Sequence, residues 1–177
     1  MAQYPPGIRI AQAVGLTGAA YLAGNIASFT LASVPALQTA HAQYKAPLTL
    51  IVKQWRDMYD AGHKQNPPIA ILAASAFGFL AWSLHRDVAV AALAPRNASA
   101  LYSLAAALTV GIVPWTYATM IRVNRLLLER AGNAAWVPSV EKGEEEEVTG
   151  ALARWRTLNG VRALLPLLGA VAGACAF

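Results

Sequence analysis

Two short stretches of this chain carry side chains that could do chemistry, and the first is WRDMYDAGHKQNPP at residues 55–68. The pattern of apolar residues from Leu48 onward predicts an amphipathic helix, with Trp55 and Tyr59 on its apolar face. His63 lies at the boundary between that face and a charged one. A solvated helix with an interfacial aromatic belt would explain this pattern. A more specific interpretation makes Trp55, Tyr59 and His63 the entrance to a site that opens from the membrane.

The second stretch is RWRTLNGVRALLP at residues 154–166. Trp155, Asn159, Arg162 and Pro166 are spaced so that they share one side of a helix. An arginine inside a membrane helix costs roughly 2.5 kcal/mol or more at mid-bilayer, so Arg162 is a functional candidate. Snorkelling of its side chain to the interface is the alternative. Trp155 and Asn159 on the same side favour a polar pocket for a flat, oxygenated ligand.

Together these side chains suit proton abstraction from an acidic carbon. His63 is the candidate base, with Asp57 or Asp60 in reserve, while Arg162 and Asn159 would stabilise the developing oxyanion. The chain lacks a Gly-x-Ser-x-Gly turn, a phosphate-binding glycine loop and a His-x-x-x-His pair. Three histidines on different segments make a weak case for haem or iron, and no metal site is predicted.

The elements that must position these residues are predicted from composition. Hydrophobic residues make up 56% of the 177 residues and charged residues only 13%, which is typical of a membrane protein. Four apolar runs each approach the roughly 20 residues that cross a bilayer. The sequence therefore predicts an all-α single membrane domain over 1–177, a four-transmembrane-helix bundle, with spans at approximately 10–34, 67–84, 98–121 and 158–177.

Between spans one and two we expect an amphipathic interfacial helix that stops at Gly62 or shortly after. Between spans three and four we expect a mobile acidic loop over 131–150, because the adjacent carboxylates of Glu144 to Glu147 repel one another. The first apolar run is long and lacks a basic flank, so it should be a retained span and not a cleaved signal peptide.

The net charge of +5 gives orientation and does not indicate nucleic-acid binding. Most lysines and arginines lie in loops one and three, so the positive-inside rule predicts cytoplasmic loops one and three and lumenal termini. The glycosylation motif at Asn97 would then be lumenal. We expect an integral protein of the endoplasmic reticulum or another endomembrane. The lipid bilayer is an expected partner, and a homo-oligomer is an open possibility.

Several polar residues within the spans are also candidates. Gly18, Tyr21 and Asn25 share one side of the first span, which we expect to face the interior, with Asn25 as a candidate ligand contact. Pro35 should end or kink that helix, and Pro114 should bend the third. Asn124 is then placed to face inward.

These segments resemble the small four-span anthrone oxygenase-like membrane family of polyketide pathways. The most specific pieces are Trp-x3-Tyr-x2-Gly ending at Gly62, Pro-x-Thr at residues 114–116 followed by Asn124, and Trp-x3-Asn-x2-Arg ending at Arg162. The resemblance covers nearly the whole chain. Val123 departs from the family pattern, which has a threonine before the asparagine.

The resemblance implies oxidation of an aromatic polyketide, an anthrone, by O2 to the anthraquinone without a recognised metal or flavin. On this hypothesis His63 removes the benzylic proton, and Arg162 and Asn159 bind the substrate oxygens. The rings of the substrate would lie between aromatic walls, and two amides would complete the substrate-binding set: Trp55, Tyr59, Trp155, Asn25 and Asn124.

Two alternatives remain at this point. The first is a glutathione-using four-span membrane enzyme, whose residue spacing the segment from Arg122 to Glu129 weakly resembles. A non-catalytic membrane scaffold or carrier would use the same polar residues only for packing.

Overall fold

A computed structural model of the chain describes residues 4–133, 135–139 and 143–176. Within these ranges four long helical stretches run over Pro6–Ala42, Leu48–Arg86, Ala98–Gly132 and Glu144–Ala174. A short helix, Val88–Ala91, follows the second. All four long helices have the length and apolar composition needed to cross a bilayer. The predicted all-α fold with four such helices is confirmed.

Two of the long helices contain a π-helical turn, in which one extra residue is inserted into the helix. In the first long helix this turn is Phe29–Ser33, and in the third it is Thr116–Met120. Each lies beside a proline predicted to disturb its helix, Pro35 or Pro114. Proline has no N–H for the carbonyl four residues earlier, so the regular hydrogen-bond ladder is broken near both turns. The first helix nevertheless continues to Ala42 and does not end at Pro35.

The second long helix corrects a predicted boundary. It runs from Leu48 to Arg86 without a stop at Gly62, so the expected interfacial helix and second span are continuous. Pro67 and Pro68 lie inside it. They remove only the hydrogen bonds to the carbonyls of His63 and Lys64, and the turns on either side keep the helix together.

The acidic run also differs from the prediction. Glu144 to Glu147 form the first turn of the fourth long helix and not a loop. Carboxylates are stabilised there by the unpaired N–H groups of a helix N-terminus. Arg130 offsets their repulsion, because its Nη1 and Nη2 lie 3.1 and 2.9 Å from Glu144 and Glu147. Phe177 of the predicted fourth span and residues 134 and 140–142 of the predicted loop lie outside the described residues.

The chain divides into two compact units, and the first comprises residues 1–24, 65–113 and 163–177, as far as these are described. Its core is built from small residues around Phe77 and Tyr102. Gly15 and Gly173 both face Phe77, where an added Cβ would lie 2.8 and 2.5 Å from ring carbons. Glycine at these two positions therefore allows the close helix packing expected of a membrane bundle.

The first long helix buries a different side from the one predicted. Gly18 packs on Ala73 as expected for a small residue, but Tyr21 is half exposed and its hydroxyl accepts a 2.8 Å hydrogen bond from Gln65 Nε2. The fully buried positions of this helix are apolar: Ala19, Leu22, Ile26 and Val34. Apolar bulk, and not the polar stripe, determines which side is covered.

The second unit comprises residues 25–64 and 114–162 with the gaps given above. Large side chains form its core, among them Trp55, Trp155, Met120, Leu127 and Leu152. Every predicted site residue lies in this unit: Asn25, Trp55, Tyr59, His63, Asn124, Trp155, Asn159 and Arg162.

Candidate active site

A row of aromatic rings leads from the core of the second unit to its surface. The rings of Trp55 and Tyr59 stack at 5.1 Å, and those of Tyr59 and His63 stack at 5.7 Å. At the inner end Trp155 meets Trp55 edge to face at 5.7 Å. Both tryptophans are buried, whereas His63 is exposed. The helical spacing of four residues produces this row, and its role as the entrance to a site stays a prediction.

Arg162 is held by two polar side chains. Its Nη1 donates to Thr116 Oγ1 at 3.1 Å, and its Nη2 donates to Asn159 Oδ1 at 2.6 Å. Arg162 Nε is buried and has no hydrogen-bond acceptor among the described residues. No described carboxylate pairs with this guanidinium. A fixed and unneutralised positive charge of this kind attracts an anion.

Asn159 is fully buried, and its amide is fully engaged. Its Nδ2 donates to the carbonyl of Ile26 and to Thr30 Oγ1, both at 2.9 Å. Its Oδ1 accepts from Arg162. Because two of these contacts tie the amide to the first long helix and the third holds Arg162 within the fourth, Asn159 fixes the orientation of the guanidinium. Its direct contact with a substrate oxygen stays a prediction.

Two threonines of this network were missed as site residues by the sequence analysis. Thr30 and Thr116 each lie in a π-helical turn, so the widened turns bring their hydroxyls to Asn159 and Arg162. Gly160 makes room for Thr30, since an added Cβ there would lie 3.2 Å from Thr30 Cγ2. The Pro-x-Thr pattern at residues 114–116 was the available signal for Thr116. Nothing local in the sequence marks Thr30.

A second buried hydrogen bond orients Trp155. Its Nε1 donates to Asn124 Oδ1 at 2.9 Å, and both residues are almost fully buried. Asn124 faces inward as predicted, and the oxygen of its amide is occupied by a tryptophan. Trp55 Nε1, by contrast, is buried without an acceptor in the described part of the chain. It is a second donor available to a ligand.

The remaining candidates lie at the edge of this cluster. Asn25 is half-buried, and the residue after it supplies the carbonyl that Asn159 bonds. Asp60 lies 3.7 Å from Arg56 in an exposed ion pair, and Asp57 is exposed. His63 therefore remains the base candidate that stacks directly on the aromatic row.

The chemistry of the donor set suits an oxygen-bearing ligand. Guanidinium, indole, hydroxyl and amide groups supply the polar atoms of the cluster, and these stabilise oxyanions by charge and hydrogen bonding. In the part of the chain that the structure describes, no three or more His, Cys, Asp or Glu side chains are grouped where they could hold a metal ion.

Comparison with known sequences identifies the family. The family model described as anthrone oxygenase matches residues 55–172, which is more than half of the chain and contains both chemical stretches. The chain belongs to the anthrone oxygenase family. This assignment confirms the resemblance drawn from the tryptophan, asparagine and arginine spacings. It also makes the protein an oxygenase, so the scaffold interpretation is set aside.

Individual relatives support the same family assignment. The chain is 39% identical over 169 residues to an anthrone oxygenase of Aspergillus fumigatus, covering 90% of this chain and 88% of that protein. It is 29% identical to an anthrone oxygenase of Paecilomyces divaricatus, with 92% of each chain covered. It is 31% identical to a noranthrone monooxygenase of Aspergillus flavus, covering 89% of this chain and 68% of that one. No solved structure matches the chain.

Proposed function

We propose that this oxygenase converts a polyketide anthrone and O2 to the anthraquinone and water, without a metal or flavin. The names of the relatives support the substrate class. The observation that carries the proposal is the part-buried guanidinium of Arg162, which is held by Asn159 and Thr116 and whose buried Nε has no partner among the described residues. An anthrone becomes an oxyanion when it loses a proton, so it presents the charge that this group would bind.

The substrate is a flat, fused-ring molecule, and it packs against the accessible outer end of the aromatic row, at His63 and the edge of Tyr59. Aromatic pairs contribute about 0.5–1.5 kcal/mol beyond the area that they bury. Trp155 closes the inner end of the row. Asn124 keeps that indole oriented, and Asn25 is placed at the margin of the same site.

Proton removal is the first step. An imidazole nitrogen of His63 takes one hydrogen of the benzylic methylene, which lies opposite the ketone. The negative charge is delocalised onto the ketone oxygen, where Arg162 stabilises it. His63 is exposed, so it can release the proton to solvent and return to the neutral state for the next turnover.

Oxygen insertion completes the reaction. The anion passes one electron to O2, and the resulting carbon radical and superoxide combine to form a carbon–oxygen bond. Protonation gives a hydroperoxide on the former methylene carbon. Loss of the remaining hydrogen on that carbon and cleavage of the O–O bond release water and leave a second ketone. One oxygen atom of O2 enters the quinone, and the other leaves as water.

The proposed function also implies a membrane localisation. Four long apolar helices support an integral membrane protein, and both O2 and an anthrone partition readily into an apolar phase. The distribution of lysine and arginine supports cytoplasmic loops one and three and lumenal termini in an endomembrane such as the endoplasmic reticulum.

The test uses isotope-labelled O2 to trace its oxygen atoms into the product. Purified protein in detergent is given a hydroxylated anthrone under 18O2, and the quinone is analysed by mass spectrometry against a reaction without protein. We expect quinone formation faster than the spontaneous rate, with one 18O atom gained per molecule. A quinone formed at the spontaneous rate, or a product other than the quinone, would overturn the proposal.

A further inference from the structure

A pocket of about 300 Å³ in the second unit lies between the third and fourth long helices, and its lining residues do not include those of the aromatic row. Its exposed lining side chains are charged, those of Arg122, Arg154 and Glu147, and Gly150 is exposed between them. Its less exposed lining residues are apolar: Val123, Leu126 and Ala151. The pocket therefore combines a charged rim with an apolar floor.

The charge of this rim is not neutralised within the protein. Neither Arg122 nor Arg154 forms a hydrogen bond or ion pair with any residue that the structure describes. The carboxylate of Glu147 is bound by Arg130, whose Nη2 lies 2.9 Å from Oε2. Two guanidinium groups thus remain available, and guanidinium is well suited to bind phosphate oxygens in pairs.

The position of the pocket along the helices indicates the source of the phosphate. On the third long helix, Arg122 is the first charged residue after the uncharged segment 98–121. On the fourth, Arg154 and Arg156 are the last charged residues before the predicted span at 158–177, within which Arg162 is the one charged residue. Arg122 and Arg154 thus stand where an apolar span gives way to polar sequence, which is the level of lipid headgroups. Basic pockets between helices at this level are suited to anionic lipids.

We propose that this pocket binds the headgroup of an anionic phospholipid, with the phosphate held by Arg122 and Arg154 and the first carbons of the acyl chains against Val123, Leu126 and Ala151. This inference rests on the membrane placement proposed above and is independent of the anthrone reaction. A free phosphate would use the two arginines but gain nothing from the apolar floor.

The experiment measures lipid binding to the full chain purified in a neutral detergent. Thermal unfolding midpoints and binding curves are recorded with phosphatidylserine, phosphatidylcholine and glycerol 3-phosphate. The double variant Arg122→Gln/Arg154→Gln is compared with Arg9→Gln/Arg96→Gln, which removes two exposed arginines elsewhere. Quinone formation is measured on the same samples.

We expect phosphatidylserine to raise the unfolding midpoint of the wild type and of the Arg9/Arg96 variant. Its affinity for the Arg122/Arg154 variant should be roughly tenfold lower or more. That variant should retain quinone formation in detergent, which separates this inference from the proposed reaction. Equal binding of phosphatidylcholine, an equal effect of glycerol 3-phosphate, or unchanged binding to the Arg122/Arg154 variant would each overturn the inference.

Discussion

Nη2 of Arg162 donates a 2.6 Å hydrogen bond to Oδ1 of Asn159, one turn earlier in the same helix. The amide hydrogens of Asn159 are directed to the first long helix, where they bond Ile26 and Thr30. The guanidinium is thereby fixed in a site where no described carboxylate neutralises it. Its position is determined by three helices, and this is the structural basis of the proposed anion binding.

Replacing Arg162 tests that charge. Arg162→Gln should lower kcat by about 100- to 1,000-fold, because it removes the principal group that stabilises the oxyanion. The kcat of Arg162→Lys should lie between those of the wild type and Arg162→Gln, because lysine keeps the positive charge but lacks the planar guanidinium. Steady-state quinone formation measures both. The exposed Arg125 provides a control, and equal losses in Arg125→Gln and Arg162→Gln would contradict a specific role.

Thr116 offers a finer test, because its hydroxyl accepts a hydrogen bond from Arg162 Nη1 and so helps to position the guanidinium. Thr116→Val should lower kcat roughly tenfold, since the loss of one hydrogen bond to a charged group is worth about 1.5 kcal/mol or more. Thr116→Ser should restore most of the activity. The unfolding midpoints of the wild type, Thr116→Val and Thr116→Ser are measured in parallel.

The neighbouring Thr119 supplies the control for that experiment. Its hydroxyl donates to the carbonyl of Trp115 at 2.8 Å and so stays within its own helix. Thr119→Val should keep kcat unchanged. If Thr119→Val and Thr116→Val lower kcat equally, the π-helical turn as a whole matters, and the specific contact with Arg162 does not.

His63 is tested as the base. His63→Gln should lower kcat by about 100- to 10,000-fold, because a positioned general base contributes an effect of this size. Substrate affinity should change little, since glutamine retains part of the stacking surface beside Tyr59. Single-turnover rates separate the two effects. His85→Gln, at another exposed position, is the control, and full turnover by His63→Gln would eliminate the base assignment.

The proposed orientation can be mapped with cysteine chemistry. Cys175 is the chain's single cysteine and is exposed near the C-terminus. In sealed microsomes a membrane-impermeant maleimide should label it only after detergent is added. In a Cys175→Ser background, Val137→Cys should be labelled without detergent, because Val137 is 75% exposed in loop three. Labelling of Cys175 without detergent, and of Val137→Cys only with detergent, would contradict the proposed orientation.

Much of the site follows from periodicity alone. The spacing of Trp55, Tyr59 and His63 places three rings in a row, and the spacing of Trp155, Asn159 and Arg162 places their side chains on one side of the fourth long helix. Both are local patterns within one helix, so a sequence displays them directly. The four apolar helices are equally visible, because each depends on the composition of one continuous segment.

The parts that could not be predicted depend on contacts between distant residues. The bond from Asn159 to Thr30 spans more than a hundred residues and requires a π-helical turn that no local signal specifies. The helical start at Glu144 depends on Arg130, which lies on another helix. Gly62 favours a helix end because glycine is a weak helix former. The packing of the residues around it overrides that preference, and the helix continues.

The most direct test of the central claim is the rate of quinone formation by metal-stripped protein. Wild type and Arg162→Gln are treated with a chelator, given a hydroxylated anthrone and O2, and followed by quinone absorbance and oxygen uptake against the spontaneous reaction. We expect the stripped wild type to keep its full rate and Arg162→Gln to approach the spontaneous one. Loss of wild-type activity on stripping, with recovery when a metal is added back, would contradict the account.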